Sequence, residues 1–169
     1  MDEYLDLVDA NDVVIGRKLR SEIYAEKLFN FRAVNAFLKN SKGQLWIPRR
    51  SPHKLLFPGC LDMSMGGHVE SGESYHQAFV RELQEELNLN VDEIEWKLLS
   101  HLTPQKDHTS VFMEVYEIDT DITPDYHPDE FTEYEWISPQ DLLAKIEAGE
   151  LTKSDLPVLI RRFYVNKGN

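Results

Sequence analysis

The sequence predicts a mixed α/β sandwich, and three observations predict it. Short apolar segments lie on both sides of one strongly amphipathic helical segment, turn residues punctuate them, and two further helical segments close the chain. At 169 residues the chain suits one domain, 1–169, divided into an N-terminal hairpin with a short helix (1–30) and a core (31–165). Hydrophobic residues at 41% and charged residues at 28% are the balance of a folded globular domain.

Taken in order, residues 4–9 and 12–19 form two strands around the turn Asp9-Ala10-Asn11-Asp12, a hairpin by its turn chemistry. Residues 21–27 suit a short helix capped by Ser21. Residues 31–38 read as a mostly buried strand, and the turn Asn40-Ser41-Lys42-Gly43 leads into a second arm, QLWIPRR. Pro48 implies that this arm is an edge strand or ends there. Residues 51–60 form a loop, 61–65 a brief buried strand, and Gly66-Gly67 a polar loop. A helix follows over 74–88. Residues 96–103 and 109–118 are strands, 119–130 is a loop, and 133–137 is a short strand. Ser138, Pro139 and Asp141 open the next helix with a cap, a proline in its first turn and an acid near its N-terminus. Gly149 ends it, and a last helix runs over 154–165.

Composition removes several functions. Lys plus Arg is 18 against 30 for Asp plus Glu, a net charge of −12. That acidity opposes general nucleic-acid binding, which needs clustered positive charge. It permits a small anionic substrate if a metal ion supplies charge locally. No apolar run approaches the ~20 residues of a membrane span. The acidic N-terminus lacks the pattern of a secretory signal, and Cys60 has no partner for an intrachain disulfide. The expectation is a cytoplasmic protein.

The chemistry lies in GGHVESGESYHQAFVRELQEELNL, residues 66–89. At about 100° per residue, Glu82, Glu85 and Glu86 share one sector of the helix, and Phe79, Val80, Leu83 and Leu87 share the next. Such clustered like charges suit either a solvated acidic face or a site for a hard divalent cation, which prefers oxygen ligands. The glycines Gly66 and Gly67 let the backbone come close, so a main-chain carbonyl can join the ligands. Glu73 precedes the helix, and Arg81 is placed to pair with Glu85 or reach back to Glu73.

Gly67, Glu73, Arg81-Glu82-Leu83 and Glu85-Glu86, at this spacing, resemble the signature box of the Nudix hydrolases. Asn88 stands where that family usually has glycine, and Asn also tolerates the left-handed helix end. The resemblance implies a Nudix-type α/β/α sandwich with a mixed β-sheet, extended here by the N-terminal β-hairpin. It implies hydrolysis of a diphosphate linkage in a small molecule, with Mg2+ or Mn2+. Carried over, Glu82 and Glu86 are the principal metal ligands, Glu85 assists, a carbonyl of Gly66 or Gly67 joins them, and Arg81 and Glu73 orient the acids. The general base is Glu85 or an acid of the 119–135 segment, such as Glu130 or Glu133. Outside the box, VDANDVVIG, RAVNAFLKNSKGQLWIPRRS and PGCLDMSMGGH resemble the isopentenyl-diphosphate isomerase branch of the superfamily. Those enzymes carry a cysteine where this chain has Gly66 and a histidine where it has Phe31, so isomerisation is not expected. A nucleotide-binding module without turnover is a further alternative, opposed by the complete set of box acids. Arg49 and Arg50 suit phosphate binding, as does His68 beside the glycines. The last helix reads as core packing, part of it available to a homodimer.

Overall fold

Asp9 closes the first turn, accepting hydrogen bonds from the amides of Asn11 and Val13 at 2.8 and 3.0 Å. Its flanks pair antiparallel as β1 (Tyr4–Val8) and β2 (Val14–Leu19), the predicted hairpin. These features come from a computed structural model, which describes residues 2–166. Helix α1 (Arg20–Ala25) follows, and Ser21 lies inside it rather than capping it. The Glu22 carboxylate instead accepts from the amide of Leu19 at 3.1 Å, so the helix starts before Ser21.

The main sheet contains β3 (Arg32–Lys39), β4 (Leu45–Arg50), β5 (Met65–His68), β6 (Glu95–Leu102), β7 (Phe112–Asp119) and β8 (Phe131–Ile137). Its order is β6-β7-β3-β4-β8, with β5 also on β3. The β3–β7 pair is parallel and the others antiparallel, so the sheet is mixed as expected. Helices cover both faces. Val34, Ala36 and Leu38 of β3 pack against Phe79, Leu83 and Leu87 of α2 (Tyr75–Leu87). Phe37 points the other way, into a core with Ile23 of α1, Leu142 of α4 (Pro139–Glu147) and Leu159 of α5 (Leu156–Ile160). A short helix, α3 (Pro104–Asp107), joins β6 to β7. The predicted α/β/α sandwich is therefore present.

Three local expectations need correction. The strand expected over 61–65 begins at Met65 and runs through both glycines, because backbone pairing with β3, from Ala36–Met65 to Ala33–His68, decides it. Pro48 neither ends β4 nor lies on an edge strand: β4 sits between β3 and β8. Its carbonyl accepts from Asp62 at 3.0 Å on the side away from β8, where its missing N–H leaves no ladder bond unmade. The last helix changes to a wider turn over Arg161–Val165 after α5.

The hairpin is latched to the core at its tip. Asp12 accepts from Arg32 Nε at 2.6 Å and from the Tyr75 hydroxyl at 2.7 Å, and lies 2.7 Å from His101 Nε2. Against the upward push of burial, these bonds hold the Asp12 carboxyl below its ordinary pKa. Breaking a largely buried charge network of this kind costs about 2–4 kcal/mol. Asp12→Ala should therefore lower the melting temperature by roughly 5–10 °C in calorimetry. An unchanged melting temperature would show that the latch contributes nothing.

Candidate active site

Ser74 caps α2 by accepting from the Gln77 amide at 3.1 Å, while Gln77 Oε1 accepts from the Ser74 amide at 2.8 Å. Asn88 ends the helix in the left-handed conformation at φ 51°. The helix is thus fixed at both ends, and its acidic sector faces β5. Glu82 and Glu86 are only 9% and 8% exposed, which removes the solvated-face reading; Glu85 is the acid left half in water, its side chain 59% exposed.

The free edge of β5 receives this helix. The Gly66 amide donates to Glu86 Oε2 at 3.1 Å, and the His68 carbonyl accepts from Arg81 Nη2 at 3.0 Å. In an antiparallel ladder, successive residues point their backbone groups to opposite edges. Gly66 and His68 therefore face α2, and the groups of Gly67 face Val34 of β3. Of the two candidate carbonyls, Gly66 offers the one on the helix side. Gly67 instead makes room, since a Cβ there would sit 2.0 Å from Glu82 Oε1. Gly67→Ala should displace Glu82 and weaken Mn2+ binding, read by electron paramagnetic resonance, by about tenfold, the loss of a charged contact. Unaltered affinity would mean that Glu82 is not held where the glycine admits it.

Arg81 organises the acids. It gives Nε and Nη2 to the two oxygens of Glu73 at 2.9 Å each, and Nη1 to Glu82 at 2.7 Å and Glu85 at 3.3 Å. Both sequence alternatives for Arg81 are thus realised at once. Its bonds hold the Glu73 carboxyl below its usual pKa, and Glu73 raises the Arg81 guanidinium further. Burial acts oppositely on the neighbours. It pushes Glu82 up to about 7, and burial together with the charge of Glu82 holds Glu86 well above the ordinary range. A divalent cation would relieve both. Buried carboxylates and a main-chain carbonyl on the helix side are the oxygen donors such an ion takes. Among the described residues no three acidic, His or Cys side chains form a closed cage, so waters and substrate oxygens would complete the shell.

A cavity of about 480 Å3 opens in front of these acids. Glu82, Glu85, Glu86, Gly66, Gly67, His68, Arg50 and Glu130 line it. Burial holds His68 below its usual pKa, and its Nε2 meets the Tyr24 hydroxyl at 2.8 Å. Arg50 is committed to Asp62 at 2.6 Å, and Glu130 to Lys54 at 2.5 Å. Arg49 and Glu133 are not brought to the cavity. They pair with each other at 2.6 Å on its outside, because neighbouring residues of a strand point to opposite faces. Sequence reasoning missed Glu3, Arg20 and Tyr24, which the hairpin and α1 bring to the cavity, and also Asn35 and Lys153. No local pattern marks them.

An α/β/α sandwich that seats a glutamate-rich helix on a diglycine strand beside a cavity defines a class, the Nudix fold. The NUDIX domain family model matches residues 30–158, and the chain belongs to the Nudix family. It is 55% identical over 164 residues to the protein named uncharacterized Nudix hydrolase all7351 of Nostoc sp., covering 97% of each chain. The crystal structure of DR0079 from Deinococcus radiodurans superposes with a TM-score of 0.92 at 50% identity, covering 96% of this chain and 99% of that one. An isopentenyl-diphosphate Delta-isomerase of Kocuria rhizophila is 29% identical over 150 residues, 86% of this chain and 83% of its own length. Among the described residues no helix is long and apolar enough to cross a membrane.

Proposed function

We propose that the chain hydrolyses a diphosphate linkage in a small molecule, using Mg2+ or Mn2+ held by Glu82 and Glu86 with the Gly66 carbonyl. The observation that carries this reading is the pair of buried, mutually repelling carboxylates on a cavity wall, an arrangement that costs stability without a cation. When bound, the ion neutralises diphosphate oxygens and acidifies a water. The chain's own residues do the rest. Arg81 and Glu73 fix the acids. Glu85 takes the proton from the attacking water, since it lines the cavity and keeps contact with solvent to pass the proton on.

Isomerisation is disfavoured. A side chain at Gly66 would meet Asn35 Oδ1 at 2.6 Å, and Phe31 is a buried core residue. Cys60 is a buried thiol, which suits a reducing, cytoplasmic setting. A panel of nucleoside diphosphates and triphosphates, nucleotide sugars, dinucleotides and isoprenoid diphosphates, assayed by phosphorus NMR with Mg2+ or Mn2+, tests the proposal. Metal-dependent cleavage of at least one member is the expected result. Allylic isomer from isopentenyl diphosphate without cleavage of any member would overturn it.

A further inference from the structure

The Lys and Arg side chains around the cavity are unequally committed. Arg50 spends Nη1 on Asp62 at 2.6 Å, and Nε and Nη2 on the Leu56 carbonyl at 3.1 and 2.9 Å. Lys54 holds Glu130 at 2.5 Å, and Arg20 holds Glu3 at 3.3 Å. Among the described residues Lys153 has only Asp62, at 3.8 Å, a carboxylate that Arg50 already binds more closely.

This loosely held ammonium is in a definite place. The Lys153 amide donates to the Leu61 carbonyl at 2.8 Å, and its own carbonyl accepts from Leu156 at 3.1 Å, so the backbone beneath it is fixed. Its Nζ lies 3.6 Å from the point where a Cβ would stand on Gly66, the residue whose amide binds Glu86. Asn35 Oδ1 lies 2.6 Å from the same point. Asn35 is 2% exposed, yet its amide nitrogen finds only the Met113 thioether, a weak acceptor, at 3.5 Å. An under-satisfied polar recess thus adjoins the acids on the Gly66 side.

We infer that Lys153 is the substrate-binding cation of this site, gripping a non-bridging oxygen of the diphosphate beside the metal carboxylates. The inference rests on the diphosphate reading proposed above. A wall carrying Glu82, Glu85, Glu86 and Glu130 repels an anion, and the ion relieves only part of that repulsion. A pre-positioned ammonium supplies charge where phosphoryl oxygens gain it in the transition state. The cations expected to do this from sequence, Arg49 and Arg50, are respectively outside the cavity and engaged through all three guanidinium nitrogens with Asp62 and the Leu56 carbonyl.

The test uses Lys153→Met, which keeps the apolar stem and leaves Asp62 with Arg50, and Lys153→Arg. Methylenediphosphonate, which cannot be hydrolysed, is titrated calorimetrically in the presence of Mg2+. Mn2+ affinity and melting temperature are measured separately. Lys153→Met should weaken diphosphonate binding by about 10- to 100-fold, the range for one charged hydrogen bond, while Mn2+ affinity and melting stay at wild-type values. Lys153→Arg should restore most of the binding. Equal diphosphonate affinity in wild type and Lys153→Met overturns the inference, and so does an equal loss of Mn2+ affinity. If the wild type cleaves no member of the substrate panel, the hydrolysis reading fails, whereas the diphosphonate titration still decides Lys153.

Discussion

With Glu82 as a ligand of the proposed metal, Glu82→Gln should lower kcat by about a thousandfold or more, the several kcal/mol of transition-state stabilisation that a bound metal would supply. The substitution keeps the side-chain shape, and Gln can still accept the hydrogen bond that Arg81 now gives to Glu82 at 2.7 Å. Circular dichroism should therefore be unchanged, and Mn2+ resonance should show weakened binding. Persistent diphosphate cleavage in this variant would show that the metal site has been assigned to the wrong residues.

Glu86→Gln makes the chain more stable in EDTA at pH 8, and the gain disappears near pH 5. A carboxyl whose pKa is higher folded than unfolded binds its proton more tightly in the native chain. Stability is then full below the unfolded value and falls as pH climbs through the interval to the folded one. Burial, with Glu82 beside it, raises Glu86 well above its ordinary value of 4.5, and Glu82 itself lies at about 7. The wild type therefore weakens between about pH 4.5 and 7 or beyond. The amide introduced by Glu86→Gln carries no charge and relieves Glu82. The cost of holding that charge in the folded chain then disappears, so the melting temperature of the variant should exceed that of the wild type at pH 8. Millimolar Mg2+ should return the advantage to the wild type at pH 8. A gain of equal size at both pH values would refute the buried-charge explanation.

Much of this architecture is legible in the residues. Helix α2 announces itself because Ser74, Gln77 and Asn88 cap it locally, and because Phe79, Leu83 and Leu87 repeat at its period. The box acids follow from that helix, since 3.6-residue geometry alone gathers Glu82, Glu85 and Glu86. The diglycine misleads for the opposite reason: glycine has weak strand preference, and only β3, distant in sequence, makes Gly66 and Gly67 a strand. The same distance hides Lys153 and Asn35, which the fold brings together only beside Gly66. Arg49 differs from Arg50 by one step of strand alternation, a choice of face that a linear cluster of positive charge cannot indicate. Tyr24 and Glu3 belong to an appendage held to the core by contacts distant in sequence, among them Asp12 with Arg32 and His101.

The parallel pairing of β3 with β7 joins Arg32 to Phe112 and Lys39 to Asp119. Every step of that ladder awaits a residue made 80 positions later. At ribosomal speeds of about 5–20 residues per second, the apolar central strand stays without this neighbour for roughly 4–16 s. Newborn chains therefore pass through an interval in which that strand can adhere to other polypeptides, and co-translational chaperones have their best opportunity to shield it before the C-terminal half arrives.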